Sequence, residues 1–536
     1  MALLHAPQQW IFEELKSISD IDFKFKSTTP AKDFAVGTSF LMQQPIPREW
    51  LISGLNRLRD FDPGLIEKTI DCLRTDNLRL FIVSQEIPGN WDQKEKWYGT
   101  EYTVEPIPED FMVELAEASY PKNRLPALHL PDKNTSIPIT LEVEKKEVKE
   151  PALAPSIVRN DDSARTWWKK NDTFWDPRTY LLANCKNPII FASPENVVKT
   201  TLYTDLVKDE LEGSLYDAQL AGLRYNVGVD SRGFGFEVSG YTDRHSEHLK
   251  HVLETIQGLE IKDDRFDIVK EHRTRKFRNL ALDEPYDQSQ TFMFWLNAEH
   301  LYRTEDYVAE LPVITAETLR QFKLQLLGQL HVELYVNGNL NKEDALRLTD
   351  LVLSVLAPRP LPRQQWLIKR SLILPPGANY IYRKTLEDAD NVNHCIHYWL
   401  YTGDRGDAAT RARTELLAEM IWEPFFDQIR TKEQLGYIVG SAVQPSLTTY
   451  GLGFVVQSER HPGHLESRVD SFIESFGAKL EAMEEEEFEN HKRSLIARLL
   501  EKLPNLSDEV GWHWHEISGE YYDFGSGKCR TPSAFA

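Results

Sequence analysis

A hydrolytic zinc site on a helix needs two imidazoles four residues apart, with a glutamate beside them as base. The chain has 15 histidines, yet no two stand four apart. Neither H-E-x-x-H nor H-x-x-E-H occurs; His515-Glu516 opens the first pattern, but position 519 is Gly519. Histidines three apart do occur, as His245/His248/His251, His394/His397 and His461/His464. Two of these sets belong to an R-H-x-x-H-L sequence expected to cap or pack the start of a helix. His394 and His397 fall on an expected strand, where odd spacing sends them to opposite faces. No G-x-S-x-G nucleophile turn is present, and Gly525-Ser526-Gly527-Lys528 lacks the upstream glycine of a phosphate loop. That stretch is expected to be a tail. The acidic run 484–487 suits a solvated helix start, where the macrodipole favours carboxylates. Trp167-Trp168 and Trp97-Tyr98 are expected to pack in a core or between domains. One segment is more specific: RTKEQLGY, residues 430–437, follows a helical pattern ending in FFDQI and leads into a strand.

The elements that position this segment occur twice. LRYNV, GFGFEV, RHSEHL and RFDIVK begin at Leu223, Gly233, Arg244 and Arg265. LGYIV, GLGFVV, RHPGHL and EFENHK follow in the same order from Leu435, Gly451, Arg460 and Glu487. Four ordered blocks at offsets between 212 and 222 residues define an internal repeat. Within the second copy, 394–401 alternates like a strand and 411–429 has helical apolar spacing. Residues 436–442 and 451–457 suit a hairpin. Leu465, Val469, Phe472, Phe476 and Leu480 then form the stripe of a long helix, and a second helix follows. This is an α+β fold, with helices packed on a mostly antiparallel sheet. A half unit comes first. Residues 65–73 read as a helix and 77–83 as a strand, and 325–336 repeats that helix-to-strand ending. The stretch 121–159 is rich in Pro, Lys and Glu without periodicity and reads as a linker. The copy of the tyrosine segment in the first unit, DAQLAGLRY, keeps the Leu and Tyr but not the Arg-Thr-Lys-Glu. A duplicated scaffold with extra charge in one copy points to a specialised site there.

Composition narrows the function classes. The 536 residues are 41% hydrophobic and 27% charged, which excludes a disordered or collagenous chain. With 62 Lys+Arg against 83 Asp+Glu the net charge is −21, so a phosphate backbone is repelled and no nucleic-acid partner is expected. No run of 18 apolar residues exists, so no membrane partner is expected. Cys72, Cys185, Cys395 and Cys529 are too far apart in sequence for a zinc ribbon or redox pair and too few for a disulfide framework. A reducing, cytoplasmic setting is expected, with a peroxisomal or mitochondrial address left open.

RTKEQLGY followed by GLGFVVQSERHPGHLESRV resembles the insulysin branch of the pitrilysin family of inverzincin metalloendopeptidases. QQWIFEE from Gln8, WYGTEY from Trp97, AQLAGL from Ala218 and LSDEVGWHWHEI from Leu506 extend the resemblance over most of the chain. It implies four homologous α+β domains in two bowls around a chamber. Residues 1–118 would be the end of the second domain, 119–158 the linker, 159–368 the third domain and 369–536 a fourth, truncated one. After Phe524 the sequence leaves the family pattern. The resemblance places zinc in a first domain carrying H-x-x-E-H, so zinc is implied for the family, with no ligands found in this chain. Carried over onto 430–437, it gives Tyr437 a catalytic role as hydrogen-bond donor to the tetrahedral intermediate. It gives Arg430 a substrate-binding role. The expected function is that of the zinc-free half of a peptide-degrading metalloendopeptidase. Its partners would be peptide substrates and an H-x-x-E-H-bearing N-terminal half, in cis or in trans. A non-catalytic binding or scaffold paralogue and an incomplete, inactive fragment are the alternatives, and whether the chain is itself an enzyme stays open.

Overall fold

The computed structural model describes residues 7–525, except 55, 85, 88, 119–129, 144, 146–149, 231 and 369. The expected tail from Ser526 and Cys529 lie outside the described residues, as does much of the expected linker. The chain divides into two compact units, 1–26 with 32–137, and 27–31 with 138–536.

The first unit holds α1 (Gln9–Lys24), α2 (Ala31–Met42), α3 (Pro63–Ile70), a two-stranded ribbon of β1 (Gln93–Lys94) and β2 (Glu101–Tyr102), and α4 (Glu109–Ala118). It has almost no core; Ile21 is its one buried hydrophobic among the described residues. The helix expected at 65–73 is α3, capped by the Asp62 carboxylate accepting from the Leu65 N–H at 3.0 Å. The strand expected over 77–83 does not form. Asn77 ends a 3₁₀ turn over Thr75–Asn77, residues 78–83 pair with nothing among the described residues, and Phe81 and Val83 are 85% and 97% exposed. Trp97 and Tyr98, expected to pack in a core or between domains, are also exposed. Their N–H groups both donate to the Glu95 carboxylate, which fixes a tight turn between β1 and β2 and leaves the rings outside.

The second unit opens with β3 (Ser156–Asn160), β4 (Ala164–Lys170) and β5 (Arg178–Lys186), followed by α5 (Pro194–Ser214) and α6 (Tyr216–Leu220). The hairpin β6 (Arg224–Asp230) and β7 (Gly233–Tyr241) leads into α7 (Thr242–Gly258) and α8 (Asp263–Leu280). Then come α9 (Pro285–Asn297), α10 (Thr304–Glu310), α11 (Ala316–Gly328), β8 (Gln329–Gly338), α12 (Lys342–Leu356) and the short β9 (Arg359–Pro360). The strands form a sheet in the order β3-β4-β8-β5-β7-β6, antiparallel except where β4 and β9 run parallel to β8. Leu181, Phe234, Val238, Val332 and Leu334 on one face pack against Leu202 and Leu206 of α5, Leu249 and Val252 of α7, and Val352 of α12.

The second copy of the repeat is β10 (His394–Asp404), α13 (Ala408–Phe426), β11 (Val439–Val443), β12 (Thr449–Ser458), α14 (Pro462–Glu481) and α15 (Glu485–Leu499). Its order matches β5, α5, β6, β7, α7 and α8, and each repeated sequence block falls on the equivalent element or its edge. The sheet runs β10-β12-β11, all antiparallel. Alternation sends Leu452, Phe454 and Val456 toward Phe425 of α13 and Val469 and Phe472 of α14. On the other face, Cys395 and Gln457 meet α9, through Ser289 and the Tyr286 N–H. The acidic run 484–487 does form the first turn of α15.

The final helix, α16 (Leu506–Ser518), covers the second face of the larger sheet, with Leu506, Val510 and Ile517 on Trp167, Leu182 and Tyr335. Trp167 therefore packs as expected, stacked on Tyr522 at 5.3 Å. Two buried lysines hold this layer. Lys169 meets Asp172 at 2.7 Å and Glu509 at 3.2 Å, and Lys186 meets both Glu333 and Glu520 at 2.6 Å. Burial by itself raises the Glu333 carboxyl pKa, but Lys186, with Trp167 and Arg165, outweighs it and holds the group low. His513 of α16 is buried between the Tyr335 hydroxyl at 2.8 Å and the Leu153 carbonyl at 3.2 Å. Among the described residues no helix is long and apolar enough to cross a membrane.

Candidate functional site

Helix α13 begins at Asp407, whose carboxylate accepts from the N–H groups of Ala409 and Thr410. Met420, Ile421 and Phe425 are buried against the sheet and fix the helix in rotation. The sequence pattern runs the helix on to 429, but after Phe426 it widens into a π-helical turn over Asp427–Lys432. Such widened turns recur at functional sites because they re-aim side chains out of α-helical register. The chain leaves the turn through Gln434, in the left-handed region at φ 52, and the Leu435 N–H reaches back to the Ile429 carbonyl at 3.1 Å. At Gly436 a Cβ would stand 1.8 Å from the Gln457 carbonyl oxygen, so only glycine lets the backbone pass β12 this closely.

This path brings Arg430 and Tyr437 together. Arg430 Nη1 donates to the carbonyls of Gly436 at 3.2 Å and Tyr437 at 2.6 Å. Its guanidinium carbon lies 4.2 Å from the Tyr437 ring centroid and 5.6 Å from that of Phe426. Tyr437 is 79% exposed, and its hydroxyl meets no hydrogen-bond partner among the described residues. Trp422, also exposed, stacks on Phe426 with centroids 6.3 Å apart. The result is an exposed aromatic surface with a positive charge in its middle. A polypeptide laid on it would meet ring faces, a guanidinium and a free phenol.

The other charges of the segment are supports. Glu433 takes two hydrogen bonds from Arg468 of α14, at 2.8 and 2.7 Å, and one from Gln428 at 2.6 Å. These contacts, led by Arg468, hold its carboxyl below the usual range. Lys432 pairs with Asp427 across the widened turn at 2.8 Å.

The first copy of the repeat shows what the extra charge changes. In the structure the two tyrosines are two positions out of step: Tyr225 pairs with Val238 as Val439 pairs with Val456, so Leu223, buried in the core, stands where Tyr437 does. Among the described residues no arginine side chain holds the backbone there. Trp422 and Phe426 were not singled out from sequence. Their signal is the spacing 422, 426, 430, one face of a helix at steps of four.

The histidine sets do not converge. His245 contacts the Val238 carbonyl at 3.0 Å, His251 the Ser214 hydroxyl at 2.9 Å, and burial holds the His245 and His248 imidazoles down to about 4. His461 caps α14 by accepting from the Gly463 N–H at 3.1 Å. Among the described residues, no three His, Cys, Asp or Glu side chains are grouped to hold a metal ion.

Comparison with known proteins agrees with this two-copy fold. The family profile described as the middle or third domain of peptidase M16 matches residues 23–310. A second, the C-terminal lobe domain 4 of PQQ synthase PqqF-like proteins, matches 416–514. The chain belongs to the M16, or pitrilysin, family of metalloendopeptidases. It is 34% identical over 516 residues to the mug138 protein of Schizosaccharomyces pombe, covering 96% of this chain and 53% of that one. The insulin-degrading enzyme of Homo sapiens is 32% identical, with 97% and 50% covered. For the A-factor-processing enzyme of Saccharomyces cerevisiae the figures are 33%, 97% and 50%. The crystal structure of pitrilysin superposes with a TM-score of 0.74 at 20% identity, over 97% of this chain and 54% of that one. The chain thus spans about half the length of the relatives it matches.

Proposed function

We propose that this chain is the zinc-free half of an insulysin-like metalloendopeptidase acting on small unfolded peptides. It supplies chamber wall, substrate contacts and oxyanion stabilisation to a centre carried by an H-x-x-E-H-bearing half. In this reading residues 1–118 close a second domain, 119–158 link the halves, 159–368 form a third domain and 369–536 a fourth, truncated one. A reducing, cytoplasmic setting suits the three free cysteines described, Cys72, Cys185 and Cys395.

The observation that carries the reading is the divergence of the two copies at one position. At that position the first copy has Leu223, buried in its core, while Tyr437 is exposed, held from behind by Arg430, with a hydroxyl that no described residue partners. A phenol so placed donates to a substrate carbonyl oxygen as it takes on negative charge, a contribution of about 3 kcal/mol to the barrier. Arg430 spends hydrogen bonds on the loop and presents its remaining charge to substrate carbonyls.

The test is hydrolysis of a quenched fluorogenic peptide. The chain is assayed alone and after mixing with a separately expressed H-x-x-E-H-bearing half. Chelator-sensitive cleavage only on mixing, reduced by Tyr437→Phe, supports the proposal. Chelator-sensitive cleavage by the chain alone sinks it.

A further inference from the structure

Helix α16 follows the second copy of the repeat in sequence but lies on the sheet of the first. Just beyond it, residues 520–523 send alternate side chains to different copies. Glu520 and Tyr522 face the first. Glu520 pairs with Lys186 at 2.6 Å and with Arg232 at 3.1 Å, and the Tyr522 hydroxyl accepts from Arg165 at 2.8 Å. Arg232, itself buried, also donates to the carbonyls of Ser518 at 2.6 Å and Gly519 at 3.3 Å. Tyr521 and Asp523 face the second copy. Arg405, just past β10, lies over the Tyr521 ring at 3.8 Å, and Arg411, near the start of α13, pairs with Asp523 at 2.6 Å. His515 of α16 accepts a further hydrogen bond from Arg405 at 3.0 Å.

The path of this segment is imposed by its partners. Glu520 and Tyr522 both stand in the left-handed region, at φ 55 and 51, where a bulky side chain persists only if its surroundings hold it. At Gly519 a Cβ would stand 2.8 Å from the His515 carbonyl oxygen, so only glycine makes the turn out of α16.

We propose that residues 519–523 are a clasp that sets the angle of the second copy against the first, with Tyr521 and Asp523 as positioning residues for Arg430 and Tyr437. The consequence for catalysis rests on the function proposed above; the clasp itself does not. Arg411 Nη1 donates to the Arg405 carbonyl at 2.6 Å, and Arg405 Nη1 to the Ser446 carbonyl at 3.1 Å. The start of α13 and the turn between β11 and β12 are thereby tied into one piece, which the clasp grips. Helix α13 spans Ala408–Phe426, about 28 Å, and leads into the widened turn that carries Arg430. A tilt of about 2° at its start therefore moves the site by about 1 Å. A misplacement of that size can cost an oriented reaction about 100-fold. The copies also meet where Ser289 of α9 reaches Cys395, and Ser371 reaches Ser446 and Thr448 by hydrogen bonds of about 3 Å between neutral groups. The clasp adds charge-assisted contacts anchored on buried Lys186 and Arg232.

The test is a distance between the copies, read by pulsed electron resonance from spin labels on Ser246→Cys in α7 and Ser475→Cys in α14, both exposed positions. Cys72 and Cys529 are first replaced by serine. Cys185 is buried, and burial pushes the Cys395 thiol up to about 11, so neither takes label. The parent should give one narrow distance. Asp523→Arg and Tyr521→Leu should each broaden it or add a second, with the circular dichroism of the folded chain unchanged. A variant that loses its circular dichroism is replaced by Asp523→Asn. Arg411→Asp combined with Asp523→Arg restores an ion pair and should return most of the single distance. Mixed with an H-x-x-E-H-bearing half, the single variants should lose about 10-fold in kcat with KM changed less than about twofold, and the paired exchange should recover. One narrow distance in both single variants overturns the clasp, and so does an exchange that recovers nothing. A broadened distance with kcat unchanged, or a lost kcat with the distance unchanged, overturns the positioning role. No hydrolysis by the parent mixture sinks the proposed function and leaves the distances to decide the clasp.

Discussion

Arg430 grips Tyr437 by its backbone and stacks beside its ring, with a 2.6 Å hydrogen bond to the carbonyl and 4.2 Å from guanidinium carbon to ring centroid. The arginine stands at the end of a helix and the tyrosine at the mouth of a strand. The widened turn between them brings the two side chains to one surface.

That relationship separates two roles. Tyr437→Phe removes only a hydroxyl that no described residue uses, so the melting temperature should not move. Peptide hydrolysis by the complemented protein should fall about 10²- to 10³-fold, mostly in kcat. Arg430→Lys keeps the charge but not the planar fork, and should lower kcat/KM with a stability loss of about 1 kcal/mol. Equal loss of stability and activity in Tyr437→Phe would show that the tyrosine is structural.

Gly436 sets how closely the loop approaches β12. Gly436→Ala would place a methyl carbon against the Gln457 carbonyl oxygen. The hairpin must shift, at a cost of about 3 kcal/mol or more. Urea unfolding should show it, and Gly440→Ala, where a Cβ meets nothing within 4 Å, is the matched control.

The buried Lys186–Glu333 pair should be costly to break and cheap to replace. Glu333→Ala leaves Lys186 with Glu520 alone and strips the Trp167 indole N–H of its acceptor. A loss of about 3 kcal/mol is expected. Lys186→Met combined with Glu333→Leu should recover most of it. A double variant no better than Glu333→Ala alone would argue that the pair fixes α16 and not just its own charges.

Acid should unfold the chain through buried imidazoles. His245, His248, His331, His397 and His513 are held by burial at about 4, against about 6.5 in an unfolded chain. Between those values the unfolded state binds more protons, so stability is full above pH 6.5 and falls as pH drops toward 4. For His513 the cause is visible. Its Nε2–H donates to Leu153 and its Nδ1 accepts from Tyr335, so protonation breaks the second bond. His513→Gln should flatten the pH dependence of the urea midpoint. Each imidazole can contribute up to about 3 kcal/mol across that window.

Much of this was legible in the sequence, for a physical reason. Leu465, Val469, Phe472 and Phe476 face one core, so their spacing is the helix itself. The four repeated blocks landed on matching elements because a duplicated core keeps its apolar pattern. The site was partly legible. Residues 430–437 stood out by charge and by resemblance, but the widened turn that joins Arg430 to Tyr437 has no sequence period of its own, and the helical pattern read to 429 runs into it unmarked. Residues 77–83 were read as a strand from alternation alone. Alternation reports the preference of a segment for a sheet, and the pairing that makes a strand depends on neighbours not described in this chain. Trp97 and Tyr98 failed similarly, since large rings stay outside where there is no core to enter.

Helix α9 lies in the sequence of the first copy but on the sheet of the second, with the Tyr286 N–H on Gln457 and Ser289 beside Cys395. A cut between the copies would leave β10 and β12 without that cover on one side. The two copies, separable on paper, should therefore melt as one calorimetric transition, and neither should express well alone. An old duplication has here become a single cooperative body, in which heat lost by one half is felt by the other.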